Sequence, residues 1–469
     1  LPSSGEGGGG GRPVVLVPFG SYCLGVHSED SDIDVLAIVP KHVTRQAFLS
    51  ELEPILRQHP SVTKLHVVPE AFVPVIKFHW DGVDIDLSCA CLPLDSIPSP
   101  VDLSDNEILK DLRDAKDVTC LNGPRVTFEI LRRVRNVDSF RTLLRCIKMW
   151  ARRRGIYANI LGFPGGVAWA IMGAFVCQLY PNMDASMLVE KFFWLYNSRG
   201  FDVPVKIASI DECRPPKGAA YMSQWSAMAA PPRPMQIITP TYPVANSTFN
   251  ASRSTVAVVR KEIARAYEIA KNVAIGKDQY SSLFASCDFF DIYNNYVTVE
   301  CKSLDLETLK VFYGYVESQV RKLVEKLEIE CCDYLMYAHP CTEPFGPREV
   351  AVEGGVQHVV LFFIGLKFDA SAIKALKEQG QPVNCSTPAI NFRNSLVVPE
   401  KAGLAVNVVK KKMVPDWVKS QYNSLWPASS NSTPPLGGKR KIDDAITGVD
   451  AESKGGAAPG GGGNKVPRG

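Results

Sequence analysis

Residues 14–39 constrain the fold more than any other stretch, because they set charge inside an apolar strand. Val14-Val15-Leu16-Val17 reads as a strand that ends on Phe19-Gly20-Ser21. After a polar turn the chain enters a second apolar run, which carries Asp32 and Asp34. Side chains of a strand alternate faces, so the two aspartates project together while Ile33 and Val35 point into a core. Two carboxylates on one face repel each other unless a cation stands between them. The chemistry expected is a divalent metal site, and hard oxygen ligands favour magnesium or manganese. Gly20 permits close backbone approach, and Ser21 offers a hydroxyl and a free N–H at a helix start, which suits the oxygens of a triphosphate. A Gly-Ser turn and a D-x-D pair are each common alone; this spacing, with a strand on either side, makes them informative together.

Two metals bridging a transferring phosphoryl group need a third carboxylate from a neighbouring strand. Residues 71–78 and 83–87 read as two strands joined by a turn at Asp81-Gly82. Asp84 and Asp86 share a face, so alternation does not choose between them. Asp86 is selected because the apolar run to Leu92 continues from it, whereas Asp84, beside the turn, is expected to be solvated. Between the two acidic strands, residues 42–58 read as a helix capped by Thr44. Residues 102–117 read as an acidic, solvated helix and Leu121-Asn122-Gly123 as a turn.

Residues 140–157 predict a helix with Arg141, Arg145, Lys148 and Arg152 along one face. Like charges four residues apart destabilise a helix, so such a row points to an anionic partner, polyphosphate or nucleic acid. Arg153 and Arg154 read as a solvated face. Lys148 is flanked by Ile147 and Met149-Trp150, so it is expected to be partly buried with a phosphate as counter-charge. Farther on, Gly165-Gly166 opens a helix start with bare N–H groups. Asn159 reads either as a helix cap or as a group able to meet an adenine edge.

The rest of the chain is read more coarsely. Its 469 residues suit about three domains, and 46% hydrophobic with 22% charged residues is a globular balance. Net charge is only +3, so nucleic-acid affinity must come from local basic patches. Thirteen cysteines without a C-x-x-C pair suggest neither zinc nor a disulfide framework, and a reducing compartment. Residues 160–180 carry no charge, but Gly162, Pro164, Gly165 and Gly166 interrupt them; a buried core helix from Val167 is expected rather than a membrane span. Helices are expected at 188–196 and 256–274, with a proline-rich loop at 231–243 between them. After Gly276 the pattern changes: a strand at 294–299, a heptad-spaced helix from Leu306 to Leu327, and strands at 359–364 and 404–409. This reads as an open α/β sandwich with a single helix lying on the sheet, and any RNA contact there is expected to be to backbone phosphate. The low-complexity start, with no initiator methionine, is expected of a fragment or a processed chain. Lys410-Lys411-Lys412 with Lys439-Arg440-Lys441 reads as a bipartite nuclear import signal or as solvated charge runs.

Gly20-Ser21 followed by Asp32-Ile33-Asp34 resembles the signature of the DNA polymerase beta nucleotidyltransferase superfamily. The fuller string FGSYCLGVHSEDSDIDVL, the Leu-Asn-Gly at 121–123, the Tyr157-Ala158-Asn159 and Phe163-Pro164-Gly165-Gly166-Val167 segments, and Met235–Pro243 are similar to eukaryotic nuclear poly(A) polymerases. Cys23 departs from that pattern, which usually has arginine there. The resemblance covers roughly residues 15–420. It implies an α/β plus α fold: a mixed-sheet nucleotidyltransferase domain at 13–135, a helical central domain at 136–278 and an α/β RNA-binding domain like an RNA-recognition motif at 279–425. Disordered segments are expected at 1–12 and 426–469. The resemblance further implies polynucleotide adenylyltransferase activity with two Mg2+ or Mn2+ ions on the catalytic residues Asp32, Asp34 and Asp86. For ATP it implies contacts from Phe19, Gly20, Ser21, Ser28, Asn122, Lys148, Tyr157, Asn159, Gly166 and Val167. The partners implied are ATP, an RNA 3′ end and mRNA 3′-processing factors, for a nuclear monomer that is not membrane-bound. The alternative is a catalytically weak or silent RNA-binding scaffold that keeps the fold.

Overall fold

The computed structural model describes residues 12–427 apart from 30, 72, 113, 221, 227–232 and 354. The expectations for the glycine-rich start, the tail and Lys439-Arg440-Lys441 therefore lie outside the described residues. The first region runs β1 (Val15–Pro18), α1 (Gly20–Leu24), β2 (Ile33–Val39), α2 (Arg45–Gln58), β3 (Val62–Val68), β4 (Val75–Trp80), β5 (Val83–Cys91) and α3 (Ala115–Arg132). Its sheet has the order β1-β2-β5-β4-β3, with β2 and β5 parallel and the other pairs antiparallel. Strand alternation divides the two faces. Ala37, Ile76, Phe78 and Leu87 pack under α2 with Leu49 and Leu56. Leu36, Ile38, Ala90 and Leu92 pack under α3 with Val118 and Leu121. Asp34 and Asp86 share the parity of this second set and so lie on the face that α3 covers.

α2 begins as expected, with Thr44 accepting the Ala47 N–H at 3.1 Å. Asp81 and Gly82, both at positive φ, make the β4–β5 turn. Two expectations fail downstream. Residues 102–117 are mostly irregular, with a 3-10 turn at Asn106–Leu109; the Asp105 side chain caps that turn and the Asp114 side chain caps α3. Leu121-Asn122-Gly123 is not a turn but lies inside α3. Gly123 is there for space: a Cβ would stand 2.7 Å from the Phe19 ring.

The helical middle comprises α4 (Val137–Arg153), α5 (Gly166–Leu179), α6 (Ala185–Arg199) and α7 (Arg253–Ala274). α5 is a buried core helix, as expected; no helix among the described residues is long and apolar enough to cross a membrane. The last region adds α8 (Phe289–Ile292), β6 (Asn295–Ser303), α9 (Leu306–Glu330), β7 (Leu335–Pro340), β8 (Phe345–Val352), β9 (Gly355–Phe368), α10 (Ala370–Glu378), α11 (Ser386–Asn394), β10 (Ala402–Lys410) and α12 (Asp416–Leu425). Its antiparallel sheet runs β10-β6-β9-β7, with β8 also paired to β9. The heptad-spaced segment is the single helix α9, lying on this sheet through Leu309, Val316, Val320 and Leu327. β3, β7 and β8 carried no clear sequence signal. One hydrophobic cluster joins Trp150, Trp169 and Phe192 of the middle to Val297, Val316 and Leu404 of the last region, so these two share a core.

Candidate functional site

A cavity of about 610 Å3 opens between the first sheet and the helical middle. Its acidic wall comes from β2 and β5. The parallel register sets Asp34 directly beside Asp86, and Asp32 precedes Asp34 by one pleat. The like charges sense one another. Burial, then Asp32 and Asp86, push the Asp34 carboxyl up to about 7, with only Lys77 pulling the other way. Gly20 seals this arrangement: it sits at φ +62°, where a Cβ would collide with the Asp34 carboxylate. Its N–H donates to Thr127 Oγ1 at 3.2 Å, which ties the start of α1 to α3.

The third carboxylate has a cation beside it within the sheet. Antiparallel pairing sets Lys77 of β4 opposite Asp86, and the two form an ion pair, so Asp86 turns to that ammonium. Asp84, expected to be solvated, lines the cavity, half-exposed and 3.2 Å from His79 Nδ1. Among the described residues no three acidic, imidazole or thiol groups close into a preformed metal cluster. The donor set still fits a hard divalent cation: several carboxylates share one face, and burial first, then the like charges beside it, suppress the ionisation of Asp34.

The opposite wall is α4. Lys148 is only 8% exposed and donates to Val26 O at 2.8 Å. A lysine has three donors, so this bond leaves two for the cavity that Lys148 lines. Burial, then the charge of Arg152, bring its pKa down to about 8, and Asp32 partly offsets them. Arg152 of the same row also lines the cavity, whereas Arg141 and Arg145 already have acceptors. Arg141 Nε donates to Leu24 O at 3.0 Å and Arg145 to Gly25 O, so these two support consecutive carbonyls at the C-terminal end of α1. Arg153 and Arg154, expected on a solvated face, are buried, because the last region packs over this end of α4. Arg154 pairs with Glu262 at 2.7 Å and donates to Ala285 O and Ser286 O.

Phe19, Gly20, Ser21, Asn122, Lys148, Tyr157, Gly166 and Val167 all line the cavity; Ser28 and Asn159 do not. Ser28 bonds to Ser31, which lines the cavity in its place. Asn159 is exposed on a short 3-10 turn, where its carbonyl accepts from Asn250. Tyr157 stacks under Arg152, 5.1 Å from the ring centre, and a Cβ on Gly166 would stand 2.7 Å from its hydroxyl. Asn122 Oδ1 accepts from Thr241 Oγ1 at 2.6 Å, so the 235–243 segment reaches the cleft. Sequence reasoning missed Ser31, Thr127, Arg152 and Thr239 as wall residues. Arg152 was legible as part of the basic row and Thr239 as part of the 235–243 segment; Ser31 and Thr127 had no signal of their own.

Three family profiles match in order: the poly(A) polymerase nucleotidyltransferase domain over residues 12–134, the central domain over 139–286 and the predicted RNA binding domain over 288–354. The chain is similar to a poly(A) polymerase of Dictyostelium discoideum, 37% identical over 87% of this chain and 50% of that protein. It is similar to poly(A) polymerase PAPalpha of Candida albicans, 42% identical over 73% of this chain and 61% of that protein. Nuclear poly(A) polymerase 1 of Arabidopsis thaliana is 40% identical over 70% of this chain and 46% of that protein. The chain thus spans about half the length of the relatives it matches.

Proposed function

Because the chain belongs to the poly(A) polymerase family, we propose that it adds AMP from ATP to the 3′-hydroxyl of RNA without a template, releasing pyrophosphate. The observation that carries this reading is the facing of an acidic strand pair and a buried lysine across one cavity. Asp32, Asp34 and Asp86 would hold two Mg2+ or Mn2+ ions, which when bound neutralise the developing phosphate charge and sharpen the attacking hydroxyl. Gly20 and Ser21 present the start of α1 to the phosphates, and Lys148 meets the β and γ oxygens. Asp86, beside Asp34 in the parallel register and paired with Lys77 through one carboxylate oxygen, would use the other to take the proton from the RNA hydroxyl as that oxygen attacks the α-phosphorus. Leu24, Val26, Val126, Ile130 and Val167 give the base an apolar bed, and Asn122, fixed by Thr241, offers its amide to the adenine edge. RNA and 3′-processing factors are the partners, for a monomer acting in the nucleus; the nuclear name of the Arabidopsis relative supports that location. Lys410-Lys411-Lys412 is consistent with an import signal, although Lys411 pairs with Asp291 at 2.7 Å.

Incubation with magnesium, an oligo(A) primer and each of the four nucleotides tests the reading. Extension with ATP well above the other three is expected. No extension with any nucleotide, with manganese as well as magnesium, would favour the silent scaffold. Lys148→Met is expected to raise KM for ATP by about tenfold to a hundredfold, the usual worth of a hydrogen bond to a charged group. Inhibition by AMP, which lacks the outer phosphates, should barely change. An equal loss for AMP would remove Lys148 from the phosphate site.

A further inference from the structure

A second, much smaller cavity lies where the end of α4 meets the last region. It has a volume of about 10 Å3, and its lining includes Arg153, Gly155, Cys287, His339, Thr342 and Trp426. Arg153 is the anomaly. It is only 6% exposed, and its buried Nε and Nη1 meet no acceptor among the described residues. Arg154, equally buried, shows the usual solution, with Glu262 and two carbonyls around it. No carboxylate lines the small cavity. Burial alone acts on Arg153, lowering its pKa with no nearby anion to offset it. His339 adds neither charge nor a free acceptor: burial foremost pushes its pKa down to about 3, and its Nδ1 is engaged with the Tyr293 hydroxyl at 2.7 Å.

A guanidinium with unmet donors away from water is costly, and a single counter-ion removes both the charge and the donor deficit. The cavity has room for about one water-sized occupant, which excludes phosphate and carboxylate metabolites. A water molecule could accept from both donors but would leave the charge in place. We propose that this cavity binds one small monovalent anion, chloride in ordinary salt, against the Arg153 guanidinium. Its place gives it a consequence. α4 also carries Lys148 and Arg152 of the large cavity, while Thr342 comes after β7 and Trp426 after α12. The anion therefore ties the helix that faces the acidic wall to the last sheet, independently of whatever that wall catalyses.

Crystals of the full chain grown in bromide should show an anomalous peak beside Arg153. In solution, replacing gluconate by chloride at constant ionic strength should raise the unfolding midpoint by about 2–4 °C and then saturate. In Arg153→Met, whose side chain is uncharged, that rise should vanish. A site holding water only, with no bromide signal, would overturn the proposal, as would an undiminished chloride effect in Arg153→Met. The crystal experiment uses the unaltered chain, so it decides the matter even if the variant folds poorly.

Discussion

Asp34→Asn is expected to lower primer extension by about 10³-fold or more, roughly 4 kcal/mol of transition-state stabilisation. The change keeps the side chain's shape and removes a carboxylate from the centre of the acidic face. Binding of oligo(A) should survive, because the substitution removes no positive charge. The same variant should gain stability when divalent ions are chelated. In the folded chain the Asp34 carboxyl titrates near 7 instead of its ordinary 3.8, from burial first and then the charges of Asp32 and Asp86. A carboxyl with a raised folded pKa favours folding most below its unfolded value, and that contribution is lost as pH rises through the folded value. Metal-free wild type should therefore lose stability between about pH 4 and pH 7, and Asp34→Asn should lack that slope. Near-normal extension by the variant would break the metal assignment; an unchanged slope would break the electrostatic account.

Arg154→Met should lower the unfolding free energy by about 3–5 kcal/mol, the typical cost of stranding one member of a buried ion pair. Its partner Glu262 is only 4% exposed and would be left without its guanidinium. The carbonyls of Ala285 and Ser286 would lose their donor as well. The double variant Arg154→Met with Glu262→Met should recover much of the loss, because two apolar chains of similar volume replace the buried charges. Denaturant midpoints of the two singles and the double measure this directly. A loss under about 1 kcal/mol in Arg154→Met would mean that the residue is solvated, as its sequence suggested.

The features of this protein that depend on local order were legible in its residues alone. Alternation in 33–39 and 83–91 set the inner and outer faces of two strands, so Asp32 and Asp34 had to share a side. Heptad spacing from Leu306 identified α9, and the uncharged run after Gly166 identified a core helix. The Gly20-Ser21 and D-x-D pattern carried the resemblance because both lie within one contiguous unit, β1, α1 and β2. The features that emerged only on folding involve partners distant in the chain. Lys77 pairs with Asp86 because β4 runs antiparallel to β5, and Asp84, beside the turn, also reaches the cavity. Arg141 and Arg145 meet carbonyls more than a hundred residues earlier, which makes that half of the basic row a support for α1 and leaves Lys148 and Arg152 on the cavity. Arg153 and Arg154 are buried by a region more than a hundred residues later in the chain. A strand or helix period reports which side chains share a face; it contains no information about what the rest of the chain lays against that face, and burial, pairing and pKa all depend on that second fact.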